Sequence, residues 1–237
     1  MTRTVEQLGP FFDELAGWAD EPDEIVRYGE HDDQVVDLRR TGGPLAIVLH
    51  GGFWRAGYTK RNTDALATAL AREGWTTANV EYRRLGPGRY RELLDDVAEA
   101  ARLVGPGVAI GHSAGGHLAL WLAAEGLATA AVALGGVCDL ADADRRGLGS
   151  NAVQELLGGD DVPGIDPARR LPLGVPQLVV HGTEDDRVPI EHARAYATAA
   201  GAECTLLELE GADHFDVIDP RYGGWEAIPN AMRGLTT

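Results

Sequence analysis

The chain of 237 residues is 44% hydrophobic and 24% charged, a mixture typical of one globular domain with a full apolar core. Its formal net charge of −16 argues against a function that depends on attraction to nucleic acid or to anionic membrane surfaces. No apolar run approaches the roughly 18 residues of a transmembrane helix, and residues 1–10 lack the apolar stretch of a signal peptide. We therefore expect a single cytoplasmic domain over residues 1–237.

The predicted elements begin with a helix, because residues 5–19 carry apolar side chains at helical spacing. Residues 24–40 predict two short strands around a polar turn at 29–33. From residue 44 onward, apolar strand-like runs alternate with helical segments, which predicts a mostly parallel sheet with helices on both faces. In order, these are strand 44–49, helix 62–73 with Asn62 as its N-cap, strand 75–82, helix 90–104, strand 107–111, helix 114–124, strand 130–134, strand 177–180, helix 190–200, strand 203–209 and a final helix after residue 214.

The segment between the strands at 130–134 and 177–180 interrupts this alternation. It contains about forty residues rich in Gly, Asp, Arg and Pro, and loops of that length usually carry a function or small elements of their own. One short helix is predicted at 152–157. We expect residues 139–173, between the sixth and seventh strands, to form a small lid over the carboxyl ends of the strands.

A G-x-S-x-G motif, Gly111-His-Ser-Ala-Gly115, lies between an apolar strand and a helix. Nucleophilic catalysis by serine uses such a sharp strand-to-helix turn, because the turn exposes the hydroxyl and brings it near the N-terminus of the helix. Small flanking residues are needed where the turn is tight. The chain has only one other serine, Ser150, which lies in a polar loop. The motif therefore predicts Ser113 as a nucleophile.

A second glycine motif, His50-Gly-Gly-Phe-Trp54, directly follows the apolar strand at 44–49. Acyl transfer develops negative charge on a carbonyl oxygen, and backbone N–H groups in such a loop can stabilise that charge. We predict that Gly52 and Phe53 donate to this oxyanion, together with the amide of Ala114. Phe53 and Trp54 are predicted to bind substrate, with ordinary core packing as the alternative, whereas His50 is expected to be a hydrogen-bonded structural residue.

An acid is expected after the strand at 177–180, where Glu184, Asp185 and Asp186 compete. The spacing HG-x-x-D-x-x-VP selects Asp185, with Asp186 as the main rival and Asp139 as a more distant substitute. A base is expected after the last strand, where His214 is the histidine nearest the C-terminus. A neutral imidazole there can accept the serine proton and return it to the leaving group.

The remaining histidines fit the role of base less well. His31 and His192 lie in polar segments and are expected to be exposed. His112 and His117 flank the nucleophile in the wrong chain order, so we interpret them as packing or pocket-wall residues. Two distant cysteines, Cys138 and Cys204, predict reduced thiols and neither a disulfide nor a zinc site.

Together these motifs resemble the α/β-hydrolases of the arylformamidase, or kynurenine formamidase, type, which are similar to hormone-sensitive-lipase-like esterases. An aromatic residue after His-Gly-Gly, where many esterases have a third glycine, distinguishes the formamidases in this comparison. The matching segments span about residues 25–220 and include Tyr28-Gly29, Asp37-Leu38, His50–Trp54, Glu81-Tyr-Arg-Arg-Leu85, Gly111-His-Ser-Ala-Gly-Gly-His117, Gly135-Gly-Val-Cys-Asp-Leu140, His181-Gly-Thr-Glu-Asp185 and Gly211-Ala-Asp-His214.

The resemblance implies an α/β-hydrolase fold and hydrolysis of N-formyl-L-kynurenine to kynurenine and formate, without a metal or cofactor. For the substrate carboxylate the sequence offers Arg55, Lys60, Arg83 and Arg84, each of which is also interpretable as a surface cation. The main alternative is a carboxylesterase or deacetylase acting on small esters with the same residues. A peptidase and a non-catalytic ligand receptor are further hypotheses, and the intact Ser, Asp and His argue against the receptor.

Overall fold

The computed structural model describes residues 5–84 and 86–235, so Leu85, the last residue of the Glu81 motif, lies outside the described residues. Within them, eight strands form one sheet. The strands are β1 (Glu24–Arg27), β2 (Val35–Arg39), β3 (Leu45–Leu49), β4 (Thr76–Val80), β5 (Val108–His112), β6 (Ala130–Leu134), β7 (Gln177–Gly182) and β8 (Cys204–Leu209). They lie in the order β1-β2-β4-β3-β5-β6-β7-β8. β2 is antiparallel to β1 and β4, and the other neighbours are parallel.

Helices cover both faces of this sheet, which confirms the predicted α/β-hydrolase fold. They are α1 (Val5–Trp18), α2 (Asp64–Arg72), α3 (Tyr90–Val104), α4 (Ala114–Ala124), α5 (Leu140–Arg145), α6 (Leu148–Leu157), α7 (Ile190–Ala200) and α8 (Ala227–Met232). Alternate side chains of a strand point to opposite faces. Accordingly, Ile47 and Leu49 of β3 pack in the core beside α3 and α4, whereas Ala46 and Val48 pack in the core beside α2 and α8.

Two predicted features of the helices differ from the structure. Asn62 does not cap α2: its side chain accepts a hydrogen bond from the Thr59 amide at 3.3 Å, which stabilises a 3₁₀ turn over Lys60–Thr63 before α2 begins. The segment between β6 and β7 contains α5 in addition to the predicted helix. Asp139 starts α5 by accepting a hydrogen bond from the Asp142 amide at 2.8 Å, an N-cap that satisfies one free donor of the helix.

The predicted lid region has an irregular second helix. Residues 152–157, the predicted helix, form the regular part of α6. Before it, Gly149, Ser150 and Asn151 all have φ values near +60°, in the left-handed region, so the chain turns sharply there. A Cβ added to Gly149 would lie 2.4 Å from the Phe53 ring, which shows that this turn packs directly against the loop that follows β3.

None of the helices in the described residues is long and apolar enough to cross a bilayer. Cys138 and Cys204 are free thiols, Cys138 being buried and Cys204 half-buried. The parallel strands end at a common edge, so the segments after β3, β5, β7 and β8 converge.

Candidate active site

Ser113 occupies the turn between β5 and α4 in a strained backbone conformation. Its φ of 55° and ψ of −117° are unusual for a residue with a side chain, and such strain concentrates at functional sites. The neighbouring glycine is required by space, because a Cβ on Gly111 would lie 2.0 Å from the Gly115 carbonyl oxygen. The Ser113 amide donates to the Leu134 carbonyl at 2.9 Å, and its own carbonyl accepts from Val137 at 3.1 Å. The turn is therefore fixed to the end of β6.

Asp185 and His214 form a buried hydrogen-bonded pair at the ends of β7 and β8. The Nδ1 atom of His214 lies 2.7 Å from Oδ2 of Asp185, and both side chains are at most 4% exposed. Oδ1 of Asp185 accepts the backbone amides of Arg187 and Val188, each at 2.9 Å. His181 Nε2 lies 3.2 Å from Oδ2. Four contacts therefore fix the position of this carboxylate.

The electrostatic environment keeps Asp185 ionised. Burial alone would raise the pKa of its carboxyl group, but the nearby His214 and His181 outweigh burial and lower the pKa well below its ordinary range. Because an ionised carboxylate only accepts hydrogen bonds, the proton lies on Nδ1 of His214. The Nε2 atom of the same ring is then an acceptor, which is the state that a general base requires.

The loop His50–Trp54, here called the oxyanion loop after the role predicted for its amides, passes directly against the turn at Ser113. A Cβ on Gly51 would lie 2.7 Å from the His112 carbonyl oxygen and 3.0 Å from the Ser113 Cβ. Phe53 and Trp54 have φ values of 52° and 58°, so two consecutive side-chain-bearing residues are in the left-handed region.

Two buried residues that directly follow β4, Glu81 and Tyr82, hold the oxyanion loop through His50. The His50 Nε2 atom lies 2.9 Å from Oε1 of Glu81, and its Nδ1 atom lies 2.9 Å from the Gly51 carbonyl oxygen. The Tyr82 ring stacks on the His50 ring with centroids 4.3 Å apart, and its hydroxyl donates to the His50 carbonyl at 2.7 Å. His50 thus has the hydrogen bonds expected of a structural residue.

The amides assigned to an oxyanion hole are arranged around this turn. Neither Gly52 nor Phe53 donates its backbone N–H to a partner among residues 5–84 and 86–235. Ala114 is the first residue of α4, where backbone N–H groups have no partner within the helix. Donors of this kind can bind a developing oxyanion without reorganisation.

A small cavity of about 50 Å³ brings the predicted residues together. Ser113, His214 and Phe53 line it, with Asp185 behind His214. Gly52, a predicted oxyanion donor, and His112, interpreted as a packing or pocket-wall residue, also line it. The rest of the wall was not predicted from the sequence and consists of Leu8, Phe12, Gly51, Tyr58, Asn62, Arg187 and Phe215. The residues from α1 are remote in sequence, and no local motif marks them.

Trp54, predicted to bind substrate, does not line this cavity. It is 5% exposed and packs edge-on against His117 with ring centroids 5.4 Å apart, and it lines a separate pocket beside α6. The reason is that its ring is buried in the apolar core, whereas Phe53 is only partly buried and reaches both pockets. Of the two aromatic residues, only Phe53 contacts the cavity that contains Ser113.

The cations considered for a substrate carboxylate lie elsewhere. None of the four lines the cavity, and each contacts a carboxylate: Arg55 with Glu155, Lys60 with Asp37, Arg83 with Asp96, and Arg84 with Glu81. Arg187 is the cation that does line the cavity, with its Nε atom 3.3 Å from Oδ1 of Asp186.

His192 is buried, whereas the sequence predicted an exposed position. Its Nδ1 atom donates to Oδ2 of Asp142 at 2.8 Å, and its Nε2 atom accepts the amides of Cys138 and Asp139 at 2.9 and 3.2 Å. Burial lowers the pKa of this imidazole. The polar sequence around His192 is therefore explained by a buried hydrogen-bond network that ties α7 to α5, and not by exposure to solvent.

Comparison with known proteins places this site in a family. Residues 105–223, half of the chain, match the model of the prolyl oligopeptidase family, and residues 37–144 match a model described as BD-FAE. Esterase LipC of Mycobacterium tuberculosis is 26% identical over 243 residues, a match that covers 82% of this chain. The matched region spans 60% of the length of that esterase.

Solved structures show the same fold at low sequence identity. Esterase B from Lactobacillus rhamnosis superposes with a TM-score of 0.77 at 18% identity, covering 97% of this chain and 91% of that one. A putative thioesterase from Silicibacter has a TM-score of 0.74 at 24% identity, covering 92% and 89%. Esterase 2 from Thermogutta terrifontis, with propionate bound, has a TM-score of 0.72 at 21% identity, covering 89% and 92%.

Proposed function

Since the chain belongs to the prolyl oligopeptidase family of α/β-hydrolases, we propose that it is a serine carboxylesterase that cleaves esters of small acyl groups. One observation carries this proposal: Ser113 and His214 line the same small cavity, and His214 is held by the buried Asp185 at 2.7 Å. A cavity of about 50 Å³ is far smaller than the roughly 300–1,000 Å³ of sites for larger ligands. It therefore favours a short acyl group.

In the first half of the proposed reaction, the Ser113 hydroxyl oxygen attacks the ester carbonyl carbon. His214 accepts the hydroxyl proton on Nε2, and Asp185 stabilises the resulting imidazolium through Nδ1–H. The carbonyl oxygen becomes an oxyanion, which accepts hydrogen bonds from the amides of Gly52, Phe53 and Ala114. The intermediate collapses, the bond to the alcohol oxygen breaks, and His214 returns its proton to the departing alcohol.

In the second half, water replaces the alcohol. His214 accepts a proton from the water molecule, and the water oxygen attacks the acyl carbon bound to Ser113. The same amides stabilise the second oxyanion. As it collapses, the bond from the acyl carbon to Ser113 Oγ breaks, His214 returns its proton to that oxygen, and the carboxylic acid is released. The strained turn at Ser113 supports this cycle, because a fixed nucleophile does not have to be reoriented between the two halves.

An arylformamidase is a second candidate on the same residues. The observation that favours it is the size of the cavity, since formyl is the smallest acyl group. Arg187, which lines the cavity, supplies a cation that the substrate carboxylate could approach. The names of the relatives, by contrast, are those of esterases, and this supports the carboxylesterase proposal.

The first experiment compares p-nitrophenyl acetate with N-formyl-L-kynurenine, using wild type, Ser113→Ala and Ser150→Ala. Ser150 is the matched control because it is the only other serine and lies in α6. We expect Ser113→Ala to lower kcat on the acetate by about 10⁴- to 10⁶-fold, with Ser150→Ala close to wild type. Retention of most activity in Ser113→Ala would remove Ser113 as the nucleophile.

The ratio of the two substrates separates the candidates. We expect kcat/KM on the acetate to exceed that on the formamide. A formamide value at or above about 10⁴ M⁻¹s⁻¹ that clearly exceeds the ester value, and that is lost in Ser113→Ala, would replace the carboxylesterase with the arylformamidase.

A further inference from the structure

The loop that carries His214, residues 211–216, is held through its backbone amides. The Asp213 carboxylate accepts hydrogen bonds from the amides of Phe215 and Asp216, at 2.8 and 3.1 Å. The Asp216 carboxylate accepts a hydrogen bond from the Asp213 amide at 2.9 Å. These contacts fix the amides on either side of His214 and leave its carbonyl oxygen to a different partner.

That partner is His112, the residue immediately before the nucleophile. Its Nε2 atom lies 2.9 Å from the His214 carbonyl oxygen. A carbonyl oxygen only accepts, so Nε2 of His112 carries the proton and donates it. The two imidazole rings are 4.7 Å apart between centroids, and His112 is 4% exposed. A buried side chain one residue from Ser113 thus holds the backbone of His214.

The opposite edge of the His112 ring faces the oxyanion loop. A Cβ added to Gly51 would lie 3.2 Å from Nδ1 of His112 and 2.7 Å from its carbonyl oxygen. His112 therefore lies between the loop that carries His214 and the loop that carries the amides of Gly52 and Phe53. It also lines the cavity that contains Ser113.

We propose that His112 is a positioning residue, which fixes the backbone of His214 beside Ser113 and maintains its spacing from the oxyanion loop. This inference rests on the proposed function, because it requires His214 to act as the base. His112 itself makes and breaks no bond: its Nε2–H remains donated to the His214 carbonyl throughout both halves of the reaction. A side chain at this position that cannot donate lets His214 move away from the hydroxyl.

The charge state of His112 suits this position. Burial and the neighbouring His214 lower the pKa of His112 to about 3. The charged or titratable groups that face it are His214, Asp185 and His181. A neutral ring can donate to a carbonyl without placing a second positive charge beside the imidazolium that forms on His214.

The test compares His112→Gln, which retains an N–H donor at a similar reach, with His112→Met, which has a similar length and no donor. The active sites are titrated with diethyl p-nitrophenyl phosphate, so kcat on p-nitrophenyl acetate is given per reactive site. We expect His112→Met to lower kcat by about 10²-fold, the cost of a misplaced reacting group, with KM within about twofold. His112→Gln should recover kcat to within about tenfold of wild type.

His117→Gln is the matched control. His117 is also buried and also donates Nε2–H to a carbonyl, that of Ile165 at 2.8 Å. Its ring packs edge-on against Trp54, which lies outside the wall of the cavity that contains Ser113. We expect kcat of His117→Gln to be within about twofold of wild type, because Ile165 also lies outside that wall. Should His112→Met not fold, His112→Asn, whose amide is too short to reach the His214 carbonyl, takes its place.

Equal per-site kcat values for the donor and non-donor variants would overturn the proposal and leave His112 with a packing role. A fall in kcat for His117→Gln as large as that for His112→Met would also overturn it, because the effect would then follow burial of a histidine in general. If wild type gives neither ester turnover nor a titration burst, the proposed function itself fails. If wild type is active and the donor and non-donor variants of His112 have equal kcat values per site, only the inference on His112 fails.

Discussion

Asp185 and Asp186 are adjacent in the chain, yet their surroundings differ completely. The Asp185 side chain is fully buried and accepts hydrogen bonds from two backbone amides and from His214. The Asp186 side chain is 44% exposed and has Arg187 as its neighbour, with Nε 3.3 Å away. The spacing of the surrounding motif distinguished these two carboxylates because it reflects how the turn after β7 directs successive side chains.

Asp185→Asn should therefore affect activity far more than Asp186→Asn. Loss of the carboxylate removes the charge that keeps the proton on Nδ1 of His214, so we expect kcat on p-nitrophenyl acetate to fall by about 10⁴-fold. Asp186→Asn changes an exposed side chain and should leave kcat within about twofold of wild type. The reverse ranking in steady-state kinetics would assign the acid to Asp186.

Residues that a local motif places directly after a strand lie together in the structure, whereas contacts between distant segments leave no sequence signal. Ser113, Asp185 and His214 each follow a strand at a spacing that reflects local geometry. Trp54 lies outside the cavity because its ring packs in the core against His117, a contact that no local motif predicts. Arg187 reaches the cavity only because its turn lies beside the loop of His214, a relation that exists only in the folded chain.

Among the elements, α1 contributes the least expected part of the site. Its helical spacing of apolar residues predicted a helix without a role in the site, and the structure places Leu8 and Phe12 in the wall of the cavity beside Ser113. Phe12 also packs edge-on against Phe215, the residue after His214, with ring centroids 5.6 Å apart. The helix thus closes the cavity on one side, and its side chains limit the width of the cavity.

Phe12→Ala should widen the range of acyl groups. Removal of the ring enlarges the cavity. We therefore expect kcat/KM for p-nitrophenyl octanoate, divided by kcat/KM for the acetate, to rise about tenfold. A change of this size corresponds to the binding free energy of one or two methylene contacts. Leu15→Ala is the matched control: Leu15 lies on the same helix, is 1% exposed and is not in the cavity wall. It should lower stability and leave the ratio unchanged. An unchanged ratio in Phe12→Ala would mean that α1 does not limit the substrate.

The alternation of strands and helices predicted every strand of the sheet, whereas the segment between β6 and β7 was predicted only in part. Apolar runs such as Ala130–Leu134 identify buried strands because both faces are covered. In contrast, α5 has six residues and depends on the cap at Asp139, on the ion pair of Asp142 with Arg146, and on the hydrogen bond of Asp142 with His192. So short a helix shows little periodicity, and the partner His192 lies far away in the sequence.

At the scale of the whole molecule, buried neutral histidines couple stability to pH. Burial lowers the pKa of His117 to about 4 from an ordinary value of about 6.5. The unfolded chain therefore takes up this proton at a higher pH than the folded chain does. It follows that the contribution to stability is complete above about pH 6.5 and is lost as pH falls toward about 4.

His117→Gln should reduce this dependence on pH. For the shift given above, the free energy of unfolding falls by about 2 kcal/mol between pH 7.5 and pH 5 through His117 alone. We expect urea unfolding to show that the free energy of unfolding falls less between these two pH values in His117→Gln than in wild type, by about that amount. His31→Gln, at an exposed histidine, is the control and should match wild type. Identical differences in all three proteins would contradict the role of burial at His117.

The position of β8 has a consequence for how the molecule loses its activity. β8 is the last strand of the sheet, pairs only with β7 and has several partly exposed residues, and His214 follows it directly. Edge elements open through local fluctuations that require less free energy than global unfolding. Fraying of this edge strand would move His214, the proposed base, away while Ser113, at the end of the central strand β5, remained in place. Inactivation would then precede unfolding of the core, and an inactive molecule could still have almost all of its native structure.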